Sequence, residues 1–206
     1  YRDFVSEERD PVVRTFAIRA LGRHGTVDDA PALAERLGDD NVYVRWAAAI
    51  SLQRIHNPAV IPNMLATLGI PLEAPDVRES IAVGLGQYRE DRVFQALVRA
   101  LDDPELTVNY AARDALRLMT GQSFGDDRVD WLRWYEGAER RGTAFDGPGQ
   151  YLYPTYRRKL GFFERLAFWS VPTFEYPATP IGLTPAGTRG TYDDSTGTDA
   201  DARPNG

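Results

Sequence analysis

The chain has 206 residues, enough for one compact domain with an appendage or for one short elongated array. Its formal net charge of -6 disfavours a surface that neutralises many phosphates, so no nucleic-acid partner is expected. Cysteine is absent, which excludes disulfides, thiolate metal sites and a cysteine nucleophile from this sequence.

A repeated pattern of aliphatic and small residues begins near Asp10. Val-Arg pairs recur at steps of 31, 33 and 31 residues: Val13-Arg14, Val44-Arg45, Val77-Arg78 and a degenerate copy, Val108-Asn109. The same steps relate a column of leucines: Leu21, Leu52, Leu85 and Leu116. Columns that recur in register predict supersecondary units stacked in series, each of which buries its apolar face against its neighbours.

Each unit is predicted to contain two helices joined by a tight turn. In the first unit Val13, Ala17 and Leu21 lie at i, i+4 and i+8, which is one apolar stripe at helical spacing. Asp or Asn before Pro marks helix starts at Asp10, Asn57 and Asp103. Helix pairs are expected at 11–37, 42–68 and 76–101, with a last first helix at 104–119.

The repeated sequence pattern resembles the HEAT-like repeats of the phycobilisome-lyase type, whose units of about thirty residues begin with D-x-x-V-R-x-x-A-x-x-A-L-G. The first unit matches it through Asp10, Val13, Arg14, Ala17, Ala20, Leu21 and Gly22. The resemblance covers about residues 10–120 and implies an all-α fold, a short α-solenoid of about four helix pairs. Asn109 replaces the fourth arginine, so the arginine column is expected to end there.

The recurring Arg14, Arg45 and Arg78 have two interpretations. They could form a basic binding stripe, or they could be structural. The family resemblance favours the structural role, in which each arginine pairs with an acid of an adjacent turn, and Asp39, Asp40 and Asp76 are the expected partners.

Residues 121–141 follow the repeats and predict a capping helix from about 128 to 141. Trp131, Trp134 and Tyr135 share one face of this helix. The last layer of a solenoid has an apolar flank that no further repeat covers, so these aromatics are predicted to be packed cap residues. The ending resembles the G-x-x-F-G-x-D-x-x-x-W-x-x-W phrase of bacterial HEAT-repeat proteins.

Residues 142–171 are predicted to be a linker without regular structure, which leads into a short basic and aromatic segment. That segment could bind a partner protein, fold back onto the solenoid, or lie at a membrane surface through residues 157–169. Residues 172–206 are rich in Pro, Gly and Asp and predict an extended tail. The candidate partner-binding residues are Tyr156, Arg157, Arg158, Phe162, Phe163, Arg165, Phe168, Trp169, Phe174 and Tyr176.

Motifs for catalysis are not found in the sequence. The two histidines, His24 and His56, do not have chelating spacing, and we expect them at helix C-termini. Acid pairs such as Asp39-Asp40 and Asp102-Asp103 lie at helix junctions, where Asp serves as a cap. The predictions are therefore no catalytic residues, no metal site, no cofactor and no enzymatic activity.

From these observations the sequence favours a non-catalytic interaction or scaffold subunit, whose solenoid is a rigid platform and whose tail clamps protein partners in a hetero-complex. A peripheral membrane adaptor that uses residues 157–169 and a bilin-lyase-like HEAT protein are the alternatives. Residues 1–9 form a lead-in, and because Tyr1 is not Met, the cell envelope or periplasm is favoured over the cytoplasm.

Overall fold

The computed structural model describes residues 2–6, 10–140, 142–155 and 176–183. Within these ranges the regular structure is helical, and pairing between extended segments is limited to two isolated bridges. The α-helices in chain order are α1 (Arg2–Ser6), α2 (Pro11–His24), α3 (Ala30–Glu35), α4 (Val42–Leu52), α5 (Ile61–Leu68), α6 (Pro75–Leu85), α7 (Asp91–Ala100), α8 (Leu106–Thr120) and α9 (Arg128–Arg140). The predicted all-α solenoid is confirmed.

Helices α2 to α9 form four layers, each made of a first helix and a second helix. The first helices α2, α4, α6 and α8 stack in sequence, and the second helices α3, α5, α7 and α9 form the other side of the array. Short 3₁₀ turns at Val27–Asp29 and Pro58–Val60 lead into α3 and α5, and another at Arg36–Gly38 ends the first layer. None of the described helices is both long enough and apolar enough to cross a membrane.

The repeated columns form the core. Ala17, Ala48, Ile81 and Ala112 are all buried, and so are the four leucines of the second column. Small residues allow the first helices to approach closely. At Gly22 the approach of α4 leaves no room for a side chain, because a β-carbon there would lie 2.5 Å from Cβ of Ser51. The hydroxyl of Ser51 donates a hydrogen bond to the carbonyl of Ile18 at 3.1 Å, which joins the first two layers at the same place.

Asp10 caps a helix as predicted, whereas Asn57 caps the 3₁₀ turn that leads into α5, which begins at Ile61. Asp10 caps α2 by accepting from the backbone N–H of Val12 at 2.8 Å, and Asn57 accepts from that of Ala59 at 3.0 Å. Helix α8, however, begins at Leu106 and not at Pro104. The carboxylate of Asp103 accepts from the N–H of Glu105 and also binds an arginine of the preceding layer, so it lies in the connecting turn.

The predicted capping helix is α9, the second helix of the fourth layer. Phe94 on α7 stacks on Tyr135 with ring centroids 4.3 Å apart and meets Trp131 edge-on at 6.5 Å. Trp131 is fully buried, and its indole N–H donates to the carbonyl of Gly125 at 3.0 Å. The aromatic residues thus cover the apolar flank of the third layer, as cap residues do.

Residues 142–155 have little regular structure, but they lie against the array. The guanidinium of Arg89 donates to the carbonyls of Phe145 at 2.9 Å, Gly147 at 2.7 Å and Gly149. Residues 176–183 are extended and pair with the second layer, where Ile55 forms a parallel bridge with Ile181. The part of the predicted tail that the structure describes therefore contacts this chain's own repeats.

Candidate functional site

An exposed face on the first helices is the candidate site. Residues at the same repeat position fall on successive first helices, and one such set is partly exposed. We name it the surface column; it comprises Thr15, Trp46, Glu79 and Tyr110. Because the first helices stack side by side, these four residues follow one another along one face of the array.

Two aromatic residues of the surface column lie beneath arginines. The guanidinium carbon of Arg19 is 5.6 Å from the ring centroid of Trp46, across the contact between the first two layers. That of Arg113 is 4.7 Å from the ring centroid of Tyr110 on α8. These distances are those of cation–π contacts, which hold the rings while leaving part of each ring in solvent.

The centre of the surface column is acidic. Glu79 lies one turn after Asp76 on α6, so the two carboxylates share a helix face. Partial burial raises the pKa of Glu79, and the negative charge of Asp76 raises it further. This face therefore has an acidic centre that would attract a cation, with an aromatic ring on the neighbouring helix at either side.

The three recurring arginines have structural surroundings. Arg14 pairs with Asp39 at 3.0 Å, Arg45 with Glu73 at 2.8 Å and Arg78 with Asp103. Two of the expected partners were wrong, since Glu73 and Asp103, not Asp40 and Asp76, face Arg45 and Arg78. The side chain of Arg78 is only 4% exposed, which leaves little of it available to a ligand.

Two of these arginines also bind the turn before their own helix. Arg45 donates to the carbonyls of Asp39 and Asp40 at 2.8 and 3.1 Å. Arg78 does the same with Pro71 and Glu73. In the fourth layer Asn109 donates to the carbonyls of Ala100 and Leu101, so the backward contact persists with a shorter side chain.

The histidines do not form a metal site in the described part of the chain. His24 is the exposed last residue of α2, whereas His56 stacks on Tyr88 with ring centroids 4.8 Å apart. Nδ1 of His56 is 3.2 Å from Oε1 of Gln87, and burial lowers the pKa of this histidine. Across the described ranges no three His, Asp or Glu side chains come together as a metal site would require.

Most of the predicted partner-binding residues lie outside the described residues. These are Tyr156, Arg157, Arg158, Phe162, Phe163, Arg165, Phe168, Trp169 and Phe174. Tyr176 is described, and 74% of its surface is exposed. The interpretations of residues 157–169 as a partner-binding or membrane-surface segment stay predictions.

Comparison with known proteins identifies the repeats. Residues 31–117 match the family model of HEAT repeats. The repeats of this chain are therefore similar to HEAT repeats. Deoxyhypusine hydroxylase of Mus musculus is 29% identical over 140 residues, which cover 68% of this chain and 45% of that protein. The Homo sapiens protein is 30% identical over 141 residues, 66% of this chain and 46% of that protein.

A solved structure agrees with these matches. Human deoxyhypusine hydroxylase in complex with glycerol is similar in structure to this chain, with a TM-score of 0.51 and 31% sequence identity. The superposition covers 56% of this chain and 40% of that one. The chain thus spans less than half the length of the curated relatives described above.

Two expectations from the sequence are corrected by these relatives. The prediction of a non-catalytic scaffold without enzymatic activity is wrong, since the related proteins are enzymes. The resemblance to HEAT-like repeats holds, but the relatives are deoxyhypusine hydroxylases and not phycobilisome lyases. A repeat pattern predicts how helices stack, but it does not predict activity, because proteins of different activity share the same stack.

The sequence has no recurring signal for the surface column. Its members are Thr, Trp, Glu and Tyr, so residue type changes at every step, whereas the buried columns repeat small or aliphatic residues. Counting the repeat steps of 33 and 31 residues from Trp46 places Glu79 and Tyr110 at equivalent positions on the next two first helices. What makes Glu79 distinctive is its partial burial beside Asp76, and that appears only in the folded chain.

Proposed function

We propose that this chain is part of an enzyme of the deoxyhypusine hydroxylase type, and that the surface column contacts the substrate. The observation that carries the proposal is the similarity to the human enzyme, at 30% identity over 141 residues. Since the chain spans 46% of that protein, its activity is inferred from the shared repeats and not from a complete match.

The relatives' name indicates the substrate class. Deoxyhypusine is a derivative of lysine, and its amine nitrogens are protonated at neutral pH. The acidic centre formed by Asp76 and Glu79 suits such a cation, and the partly exposed rings of Trp46 and Tyr110 add cation–π and apolar contacts. A substrate amine could also compete with Arg19 or Arg113 for the rings that these arginines cover.

Hydroxylation at carbon needs a group that activates oxygen, and iron, copper and flavins supply this chemistry in enzymes. The described residues do not fit a metal of this kind, because they contain no convergent set of three His, Asp or Glu. In the proposed enzyme such a group would be held by residues outside the described ranges. The described residues would then bind and orient the substrate.

A direct test uses a synthetic peptide that carries deoxyhypusine. The purified enzyme that contains this chain is incubated with this peptide, ferrous iron, oxygen and a reductant, and the peptide mass is followed for the gain of one oxygen atom. Gain of oxygen is the expected result. Binding of the peptide without any mass change would contradict the proposed activity.

The role of the surface column is tested separately by binding. Glu79→Gln is expected to weaken binding of the peptide about twofold to fivefold, because a partly exposed charge pair contributes modestly. Glu136→Gln is the matched control, since it removes the same charge from an exposed position on α9, a second helix. Equal affinities of the two variants would contradict substrate contact at Glu79.

A further inference from the structure

Described residues that follow α9 lie along the edge of the array where first and second helices are joined. Two segments take part, residues 144–153 and residues 176–183, which we call the edge strap. They are tied to each other, since the N–H of Tyr153 donates to the carbonyl of Ala178 at 3.0 Å. The side-chain amide of Gln150 also donates to the hydroxyl of Thr179 at 3.0 Å.

The edge strap contacts the fourth and third layers through its glycines. A β-carbon at Gly147 would lie 2.7 Å from N of Gly121, and one at Gly149 would lie 2.6 Å from the carbonyl oxygen of Leu118. Only glycine allows the strap backbone to come this close to the end of α8. In the third layer, the guanidinium of Arg89 donates hydrogen bonds to three backbone carbonyls of the same strap segment.

The edge strap then reaches the second and first layers. The guanidinium of Arg54 lies 4.6 Å from the ring centroid of Tyr153. Ile181 exchanges two backbone hydrogen bonds with the second layer: its N–H donates to Arg54 at 2.9 Å, and its carbonyl accepts from His56 at 2.7 Å. Gly182 follows with φ 86, and a β-carbon there would lie 2.6 Å from a methyl of Val27, in the first layer.

These contacts bear on a general weakness of solenoids. In a repeat array each layer contacts only its neighbours, so terminal layers can open without the rest. We infer that the edge strap couples all four layers, so that the first layer does not open independently of the fourth. The strap thereby holds the first helices, and the surface column on them, in one fixed arrangement.

Native-state hydrogen exchange of the full chain tests this coupling. Gly182→Ala places a methyl group against Val27 and the carbonyl of His56, at a φ that disfavours a side chain. Losing two backbone hydrogen bonds should speed exchange of the His56 amide, and of α2 and α3, on the order of tenfold. Exchange in α6 should change less, because that helix is enclosed between layers.

The control variant, Gly142→Ala, has similar backbone strain but brings the added methyl group into no steric clash. Gly142 also has a left-handed φ, 68, and a β-carbon there would meet nothing within 4 Å. Gly142→Ala should leave exchange in α2 and α3 as in the wild type. Faster exchange at His56 with unchanged α2 and α3 would overturn the coupling, and unchanged exchange at His56 would overturn the docking itself.

A second pair of variants releases the other end of the edge strap. Arg89→Ala removes the donor to three strap carbonyls, whereas Arg92→Ala removes an exposed arginine that pairs with Glu90. The Arg89 variant should speed exchange in α8 and also in α2, which lies three layers away. An effect confined to α8 would show that the layers open separately, and the inference would be wrong.

Discussion

Arg78 and Asp103 form a two-pronged ion pair, in which Nε and Nη2 of the arginine each lie 2.9 Å from a different carboxylate oxygen. The arginine belongs to the third layer and the aspartate to the turn that leads into the fourth. Pairs of Arg14 with Asp39 and Arg45 with Glu73 repeat this connection in the earlier layers. One arginine in each of the first three layers thus fixes the turn that follows.

Breaking the most buried of these pairs should be costly. Asp103→Ala leaves the guanidinium of Arg78, 4% exposed, without its counter-charge. Removing one partner of a buried ion pair costs about 3–5 kcal/mol, and the carbonyls that still bind Arg78 favour the lower end of that range. Urea unfolding followed by helical circular dichroism measures the change.

The neighbouring residue provides the control for this substitution. Asp102 pairs with Arg128 at 2.6 Å, but its side chain is 57% exposed. Exposed pairs of this kind contribute about 0–1 kcal/mol, so Asp102→Ala should change stability by less than about 1 kcal/mol. Similar losses in the two variants would show that burial does not set the strength of these pairs.

The arginine column was predictable, but two of its three partners were not. The arginines recur because each occupies the same position on a first helix, where the helical repeat fixes the register. The acids lie 25, 28 and 25 residues further on, in turns of different length, and one of them is Glu73 in place of Asp. Sequence spacing does not determine which turn residue reaches the guanidinium.

Two helical glycines should respond differently to alanine. At Gly22 a methyl group would lie 2.5 Å from Cβ of Ser51, on the neighbouring first helix, whereas at Gly84 the nearest atom is the flexible end of Met64 at 2.9 Å. Gly22→Ala should cost about 1–3 kcal/mol by overpacking. Gly84→Ala should stay within about 1 kcal/mol of the wild type, because helix propensity offsets a shift of Met64.

Thermal and urea unfolding of the two glycine variants distinguish these cases. Both substitutions add the same methyl group to a first helix, so helix propensity is matched between them. A stable Gly22 variant would mean that α2 and α4 can separate slightly without loss of packing.

The aromatic cap offers a graded test of the same core. Trp131 is fully buried and hydrogen-bonded, whereas Trp134 is only partly buried at the edge of the cluster. Trp131→Ala should cost about 3–5 kcal/mol. Trp134→Ala should lower the stability less. The urea midpoints of the two variants measure the difference, and a larger loss for Trp134→Ala would show that α9 does not cover the third layer as described.

The core and the cap can be predicted from the sequence, because buried positions require apolar residues, which recur at fixed spacing. The candidate site cannot, since Trp46, Glu79 and Tyr110 differ in kind and lie at the surface, where packing imposes no residue type. The Gly147-Pro148-Gly149 stretch was predicted as a linker, yet its glycines permit close contact with α8. That contact joins residues distant in sequence, which local composition does not predict.

Glu79 should make stability depend on pH in a defined direction. Burial and the charge of Asp76 raise the pKa of Glu79 in the folded chain, so the folded state binds this proton more tightly than the unfolded state. Stability is therefore lost as pH rises through the raised pKa and is regained below the unfolded value of 4.5. Glu79→Gln should stabilise the protein at neutral pH, by less than about 1 kcal/mol because solvent screens this site.

The gain from Glu79→Gln should disappear near pH 4, since the wild-type carboxyl is then protonated and resembles the amide. Urea unfolding of both proteins at neutral and acid pH measures this difference. Glu136→Gln, on the exposed side of α9, should show no such gain. If Glu79→Gln destabilised the protein at neutral pH, the carboxylate would have to have a favourable partner in the fold. The acidic centre of the surface column would then already be neutralised within the chain and would attract no cationic side chain.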